Sequence, residues 1–86
     1  MDIEYKVRRQ ELMEMLHKKY ESLILSRKDV SRELGISTAS LDRLKKNGVG
    51  PLYKKKNTNG SNGPVQYAID AVVDFIITED IKQNRR

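Results

Sequence analysis

The stretch "TASLDRLKK", Thr38 to Lys46, sets two hydroxyls, a methyl and a guanidinium ahead of a lysine pair. More cations flank it, Arg27 and Lys28 upstream and Lys54, Lys55 and Lys56 downstream. A guanidinium forks onto two acceptors at once, as on guanine O6 and N7. Hydroxyls donate or accept, and an alanine methyl packs on the thymine methyl. Lysine ammoniums are compact charges on flexible stems, suited to positioning a phosphate backbone and not to reading bases. The chemistry these residue types support together is recognition of a polyanion.

Charge placement points the same way. Residues 26–56 carry nine Lys/Arg against three acids, whereas residues 1–25 balance at five each and residues 57–86 carry three against four. The formal net charge of +5 therefore comes from the middle third, and concentrated basic charge is the electrostatic footprint of a nucleic-acid binder. An ordinary solvated basic face is the plainer reading of the same charge.

Catalytic and metal chemistry find little to work with. There is no cysteine and one histidine, His17, which sits beside Lys18 and Lys19 on a charged segment. No nucleophile–base–orienter set, glycine-rich phosphate loop or pair of carboxylates can be assembled. No catalytic residue, metal or cofactor is expected. Tyr5, Tyr20, Tyr53 and Tyr67 are scattered, unlike the stacking array of an RNA-binding sheet, and Tyr67 reads as core.

The elements that must position these residues follow from local pattern. At 86 residues, 37% apolar and 34% charged, the chain has the make-up of one small globular domain. It has no run of 18 apolar residues and no apolar signal core at its start, so no membrane partner is expected and the expected location is cytoplasmic, at the nucleoid. Residues 2–22 lack Gly and Pro and space their apolar side chains three to four apart, as a helix does. "LIL" (23–25) is too short to type and leads, extended, into the next helix. Ser26 is an N-cap with Asp29 three residues on, and helix two spans 27–34. Gly35 ends it with a left-handed residue, Ser37 caps helix three over 38–47, and "GVGP" (48–51) is a turn. "LYKKK" (52–56) and "PVQYAI" (64–69) read as a hairpin whose tip is "NTNGSNG". "DAVVDFIITEDIK" (70–82) reads as a short helix, although its β-branched residues would also suit a strand.

Two short helices meeting through a glycine turn are a helix-turn-helix. Val30 and Leu34 on one side and Leu41 and Leu44 on the other supply the apolar contacts, Ile36 plugs the elbow, and Ser31 is the small residue where the helices approach. An αα-hairpin used only for packing would share this pattern. The continuation narrows it. "NGVGPLYKKK", a hairpin and "VQYAIDAVVDFI" resemble the MerR-like winged helix-turn-helix of the excisionase and AlpA-type regulators. Gly48, Gly50, Pro51, Lys54 to Lys56, Tyr67, Asp70 and Phe75 occupy the family's places. The resemblance covers residues 24–78; the wing tip is longer than usual, and Phe75 stands where members often carry Trp.

The resulting expectation is a mainly α fold with a small β-hairpin, a winged helix-turn-helix plus an extra N-terminal helix. Its parts are an N-terminal helix (1–23, brace or dimerisation), the DNA-binding domain (24–78) and a polar tail (79–86). The resemblance implies a small protein of a phage or mobile element that binds double-stranded DNA. It would act as a transcriptional regulator or as a recombination directionality factor, with integrase or RNA polymerase as a contact. Thr38, Ala39, Ser40 and Arg43 are expected to read bases, with a phosphate contact or a salt bridge to Asp42 or Glu33 as the other use of Arg43. Asp42 is expected to orient Arg43 or to face cytosine N4. Arg27, Lys28, Lys45, Lys46, Lys54, Lys55 and Lys56 are expected on the backbone, and the tip residues Asn57, Asn59, Ser61 and Asn62 suit a minor groove, with a disordered tip that makes no contact as the alternative. The apolar residues of the first helix, Ile3, Val7, Leu12, Met13, Met15, Leu16 and Tyr20, exceed what one packed stripe needs, which points to a homodimer or to cooperative binding on DNA. The competing class is a protein–protein adaptor using that helix, which leaves the basic middle third unexplained.

Overall fold

The computed structural model describes the backbone of residues 3–58 and 61–83, and side chains over 3–55 and 64–79. The elements are α1 (Ile3–Tyr20), β1 (Ile24–Ser26), α2 (Arg27–Leu34), α3 (Thr38–Lys46), β2 (Lys54–Thr58), β3 (Ser61–Ala68) and α4 (Ile69–Gln83). The fold is mainly helical with a small antiparallel sheet of three strands in the order β1-β3-β2. Among the described residues no helix is long and apolar enough to cross a membrane.

The caps form as their residue types dictate. Ser26 is extended, and its Oγ accepts from the Asp29 N–H at 3.1 Å. Ser37 treats the Ser40 N–H likewise at 3.0 Å. Gly35 takes φ 71°, and its N–H returns to the Arg32 carbonyl; a Cβ there would meet nothing within 4 Å, so it is the left-handed backbone, which other residues rarely adopt, that calls for glycine.

Several boundaries differ from expectation. α1 ends at Tyr20 and not at 22, α3 at Lys46 and not at 47, and β2 begins at Lys54 and not at 52. "LIL" leads into a strand: Leu25 pairs with Tyr67 and Ser26 with Gln66, so the hairpin becomes a sheet. Three residues have no strand signal of their own; β3 supplies the partner, and burial of Leu25 to 1% exposure rewards the pairing. The hairpin strands run further into the polar segment than turn chemistry suggests. Asn57 pairs with Asn62 and Thr58 with Ser61, so Asn57, Ser61 and Asn62 are ladder residues and not loop. Asn59 lies outside the described residues. Between Lys55↔Val65 and Asn57↔Asn62 the register shifts. β2 has Lys56 there, against Gly63 and Pro64 on β3, and the irregularity falls where proline has no N–H to give the ladder. At the other end α4 begins at Ile69 and runs to Gln83, so residues 79–83 are helix and not tail, and Ile69 leaves the strand expected for it. Its N–H donates to the Leu23 carbonyl at 3.0 Å.

The core is Leu16, Leu25, Val30, Leu41, Tyr67, Ile69, Val72, Val73 and Ile77. It draws on α1, β1, α2, α3, β3 and α4, so the N-terminal helix shares one core with the rest of the chain. Arg9 Nε meets Asp74 Oδ1 of α4 at 2.8 Å. Lys19 Nζ meets Glu33 Oε2 of α2 at 2.6 Å, and the Tyr20 hydroxyl donates to the same oxygen. Burial pushes the Glu33 carboxyl up, but the hydrogen bonds from Lys19 and Tyr20 and the charges of Lys19 and Arg32 outweigh it and hold it below the ordinary glutamate value. Glu33 is thereby committed to α1 and does not engage Arg43.

Candidate nucleic-acid interface

The candidate surface starts from the turn between α2 and α3. Val30 and Leu41 are fully buried on either side of it, Leu34 and Ile36 pack against the core, and Ser31 is buried at 5% exposure with its hydroxyl donated to the Lys28 carbonyl. A small side chain at Ser31 lets the helices meet, and the hydroxyl's local bond satisfies it there. Leu44 is half-buried. A Cβ on Gly50 would stand 3.1 Å from the Leu44 Cβ, so glycine lets the chain leaving α3 fold back against it.

With Leu41 turned inward, Ala39, Arg43 and Lys46 are exposed on α3. They lie three and four residues apart and so share one face. Arg43 makes no side-chain hydrogen bond or ion pair among the described residues, which leaves its fork available. Thr38 is half-buried at the start of the helix. Ser40 is half-buried as well, and it accepts from the Ser37 hydroxyl at 3.1 Å. It is a capping partner, held on the flank of the Ala39–Arg43–Lys46 face.

Asp42 overturns its expected role. Arg27 Nη1, at the start of α2, lies 2.6 Å from Asp42 Oδ2, so the carboxylate neither orients Arg43 nor stands free toward a groove. Fifteen residues separate the two, and only the folding of α2 onto α3 makes them neighbours.

Arg27 and Asp42 border a cleft of about 440 Å³ lined also by Ser26, Lys28, Lys45, Pro64 and Val65. Three of the cations expected on a phosphate backbone, Arg27, Lys28 and Lys45, thus come together from α2 and α3 against a wall of β3. Lys55 pairs with Val65 and adds a fourth cation from the neighbouring strand. Lys28, Lys46, Lys54 and Lys55 are exposed. The Lys45 ammonium sits 5.4 Å from the centre of the Tyr53 ring, a cation–π contact that restricts a long side chain. The side chains of Lys56, Asn57, Ser61 and Asn62 are outside the described residues.

Sequence reasoning missed the walls of this cleft, Ser26, Pro64 and Val65, and the pair of tyrosines beside it. Tyr53 and Tyr67 stack at a tilt, with ring centres 6.2 Å apart. Tyr67 is core, as its alternation with Val65 predicts. Its hydroxyl is buried and finds no hydrogen-bond partner among the described residues. Burial, and then the charges of Asp42 and Tyr53, push its pKa up, while Arg27 acts in the opposite direction. Alternation indicates which face Tyr67 occupies; no sequence signal foretells the neighbours of its hydroxyl.

Of the apolar residues of α1, Leu16 is buried and Tyr5, Leu12, Met13 and Tyr20 pack against the core, whereas Ile3, Val7 and Met15 are exposed. Among the described residues no group of three His, Cys, Asp or Glu could hold a metal ion. No protein-family model matches this chain, and no curated protein matches it.

Proposed function

We propose that the chain is a winged helix-turn-helix protein that binds double-stranded DNA sequence-specifically. In this reading α3 enters the major groove and the β2–β3 hairpin is a wing on the backbone and minor groove. The observation that carries it is the joining of the Ala39–Arg43–Lys46 face of α3 to a cleft edged by Arg27, Lys28 and Lys45, with the one acid of α3 neutralised by Arg27. A helix aimed at phosphate needs its own carboxylate silenced, and this pairing does it. The element order, with β1 added to a hairpin that follows two capped helices, supports the winged form. Arg43 and Ala39 are the base readers, with Thr38 at the entry of the helix. The resemblance of residues 24–78 to excisionase and AlpA-type regulators supports a role in transcriptional control or in directing recombination, without enzymatic activity, at the nucleoid.

Two substitutions test the division of labour. Arg43→Ala is expected to cost about 1–3 kcal/mol on the selected site and to relax preference at one base pair. Lys55→Ala is expected to weaken all duplexes alike and to flatten the salt slope by about one. Selection from random duplexes followed by competition titrations measures both. Equal weakening of selected and random DNA by Arg43→Ala would remove it from the base readers.

A second copy on the outer face of α1 belongs to the same proposal. Ile3, Val7 and Met15 stand exposed there, and pairing on repeated half-sites raises affinity through effective concentration. Sedimentation equilibrium of the duplex-bound protein is expected to give two chains per site. One chain per site at every concentration would leave α1 as a brace only.

A further inference from the structure

We propose that the groove between residues 49–54 and α4 docks a basic segment of another protein, one that presents bulky apolar side chains beside lysines or arginines. The groove shares no lining residue with the cationic cleft, so it stands or falls independently of the duplex-binding reading.

The apolar part comes from the chain leaving α3. Val49, Leu52 and Tyr53 are 58%, 80% and 41% exposed, a concentration of large apolar side chains in one short stretch. The backbone that carries them is held in place. The Val49 N–H donates to the Leu44 carbonyl at 3.1 Å, Gly50 lies close against Leu44, and Pro51 is buried. Proline fixes its own φ, so Val49 and Leu52 are displayed on either side of an anchored turn. Ala71 and Phe75 of α4 are half-buried opposite them. Two adjoining hollows of about 470 and 220 Å³ share Leu52, Ala71 and Asp74. Apolar side chains on a fixed backbone lose little freedom when covered, and their clustering at one exposed place marks an interaction site.

Charge selects the occupant. Three carboxylates line the groove, Asp70, Asp74 and Glu79, against one cation, Lys54. Asp70 is exposed. Asp74 meets Arg9 at 2.8 Å, and its side chain is still 49% exposed. The cationic cleft has the reverse balance, with Arg27, Lys28 and Lys45 against Asp42. A phosphate backbone is therefore disfavoured in the groove, and a segment with lysine or arginine beside its apolar anchors is favoured. The outer face of α1 fits poorly for the same reason. Glu4 and Glu11 lie three and four residues from Val7 and share its exposed face, so a second copy seated by that face would set acid against acid. The apolar anchors supply affinity, and the carboxylates choose the partner.

Selection of random dodecapeptides displayed on phage, against the full chain, tests this. Peptides that also bind Leu52→Ser are discarded. Leu52 is exposed, so Leu52→Ser is expected to melt within a few degrees of wild type and to bind a duplex as wild type does. The retained peptides are expected to carry net positive charge and at least one large apolar residue. Synthetic copies titrated by fluorescence anisotropy are expected to bind Leu52→Ser at least about tenfold more weakly. Asp70→Asn keeps an acceptor for the Ala71 N–H, which Asp70 Oδ1 now accepts at 2.8 Å, and removes the charge. It is expected to weaken the same peptides about two- to fivefold. Retained peptides that are neutral or acidic, the absence of any retained peptide, or indifference to Asp70→Asn overturns the proposal. So does a wild-type dimer that Leu52→Ser converts to a monomer in sedimentation equilibrium, since a second copy would then occupy the groove. A wild type that binds basic peptides in this way but no duplex DNA would fail the duplex-binding reading alone.

Discussion

Raising the salt from about 50 to about 200 mM is expected to weaken duplex binding by about 10³- to 10⁴-fold. Arg27, Lys28 and Lys45 line the candidate cleft, Lys46 lies on the exposed face of α3 and Lys54 and Lys55 on β2, and Lys56 continues the run. Each phosphate neutralised releases condensed counterions, with a log–log slope of about −0.9 per contact on B-form DNA. About five to seven contacts give a slope of about −4.5 to −6. The number falls short of the full set of cations when Lys45 stays on the Tyr53 ring or when Arg27 is retained by Asp42. The measurement is the dissociation constant by fluorescence anisotropy across a salt series. A slope near zero would leave the cationic cleft without a polyanion to explain it and would return the adaptor reading to first place.

Loss of α1 is expected to unfold the protein. The sequence treats residues 1–23 as a brace or dimer arm, and on that reading removal of residues 1–20 would lower affinity more than it disturbed α2 and α3. The structure alters that expectation. Leu16 is 5% exposed and belongs to the same cluster as Val30 and Leu41, and Lys19 and Tyr20 close on Glu33 of α2. Leu16→Ala is expected to cost about 3 kcal/mol, combining lost transfer energy with the cavity left behind. For a domain of this size each kcal/mol moves the melting temperature by about 4–8 °C, so Tm is expected to fall by about 12–24 °C. Small domains have little stability to spare, and a chain lacking residues 1–20 is expected to show no cooperative transition. Val7→Lys, on the exposed side of α1, is the control and is expected to melt within a few degrees of wild type. Far-UV circular dichroism melts compare the three. A truncated chain melting cooperatively near the wild-type temperature would show that α2, α3 and the sheet are sufficient alone.

The sequence by itself determined the features written within one turn of chain. Ser26 to Asp29 and Ser37 to Ser40 are contacts at a spacing of three, and Gly35 needs only its own φ, so both bounds of α2 and the start of α3 are legible residue by residue. The alternation of Val65 and Tyr67 and the burial of Val30 and Leu41 are equally local, because a period names a face without knowing what covers it. The tertiary structure alone decided what depends on distant partners. β1 is a strand because β3 runs beside it. Asn57 and Asn62 pair because the ladder extends past the point where their turn-forming chemistry would end it. Asp42 meets Arg27, and Glu33 meets Lys19 and Tyr20, across 13 to 15 residues. Charge patterning in sequence places cations in a region of chain, but a carboxylate pairs with whichever cation the packing of helices brings to it. The set of cations on the candidate surface was therefore readable from composition, whereas which of them are free, held by an acid or resting on a ring was set by the fold.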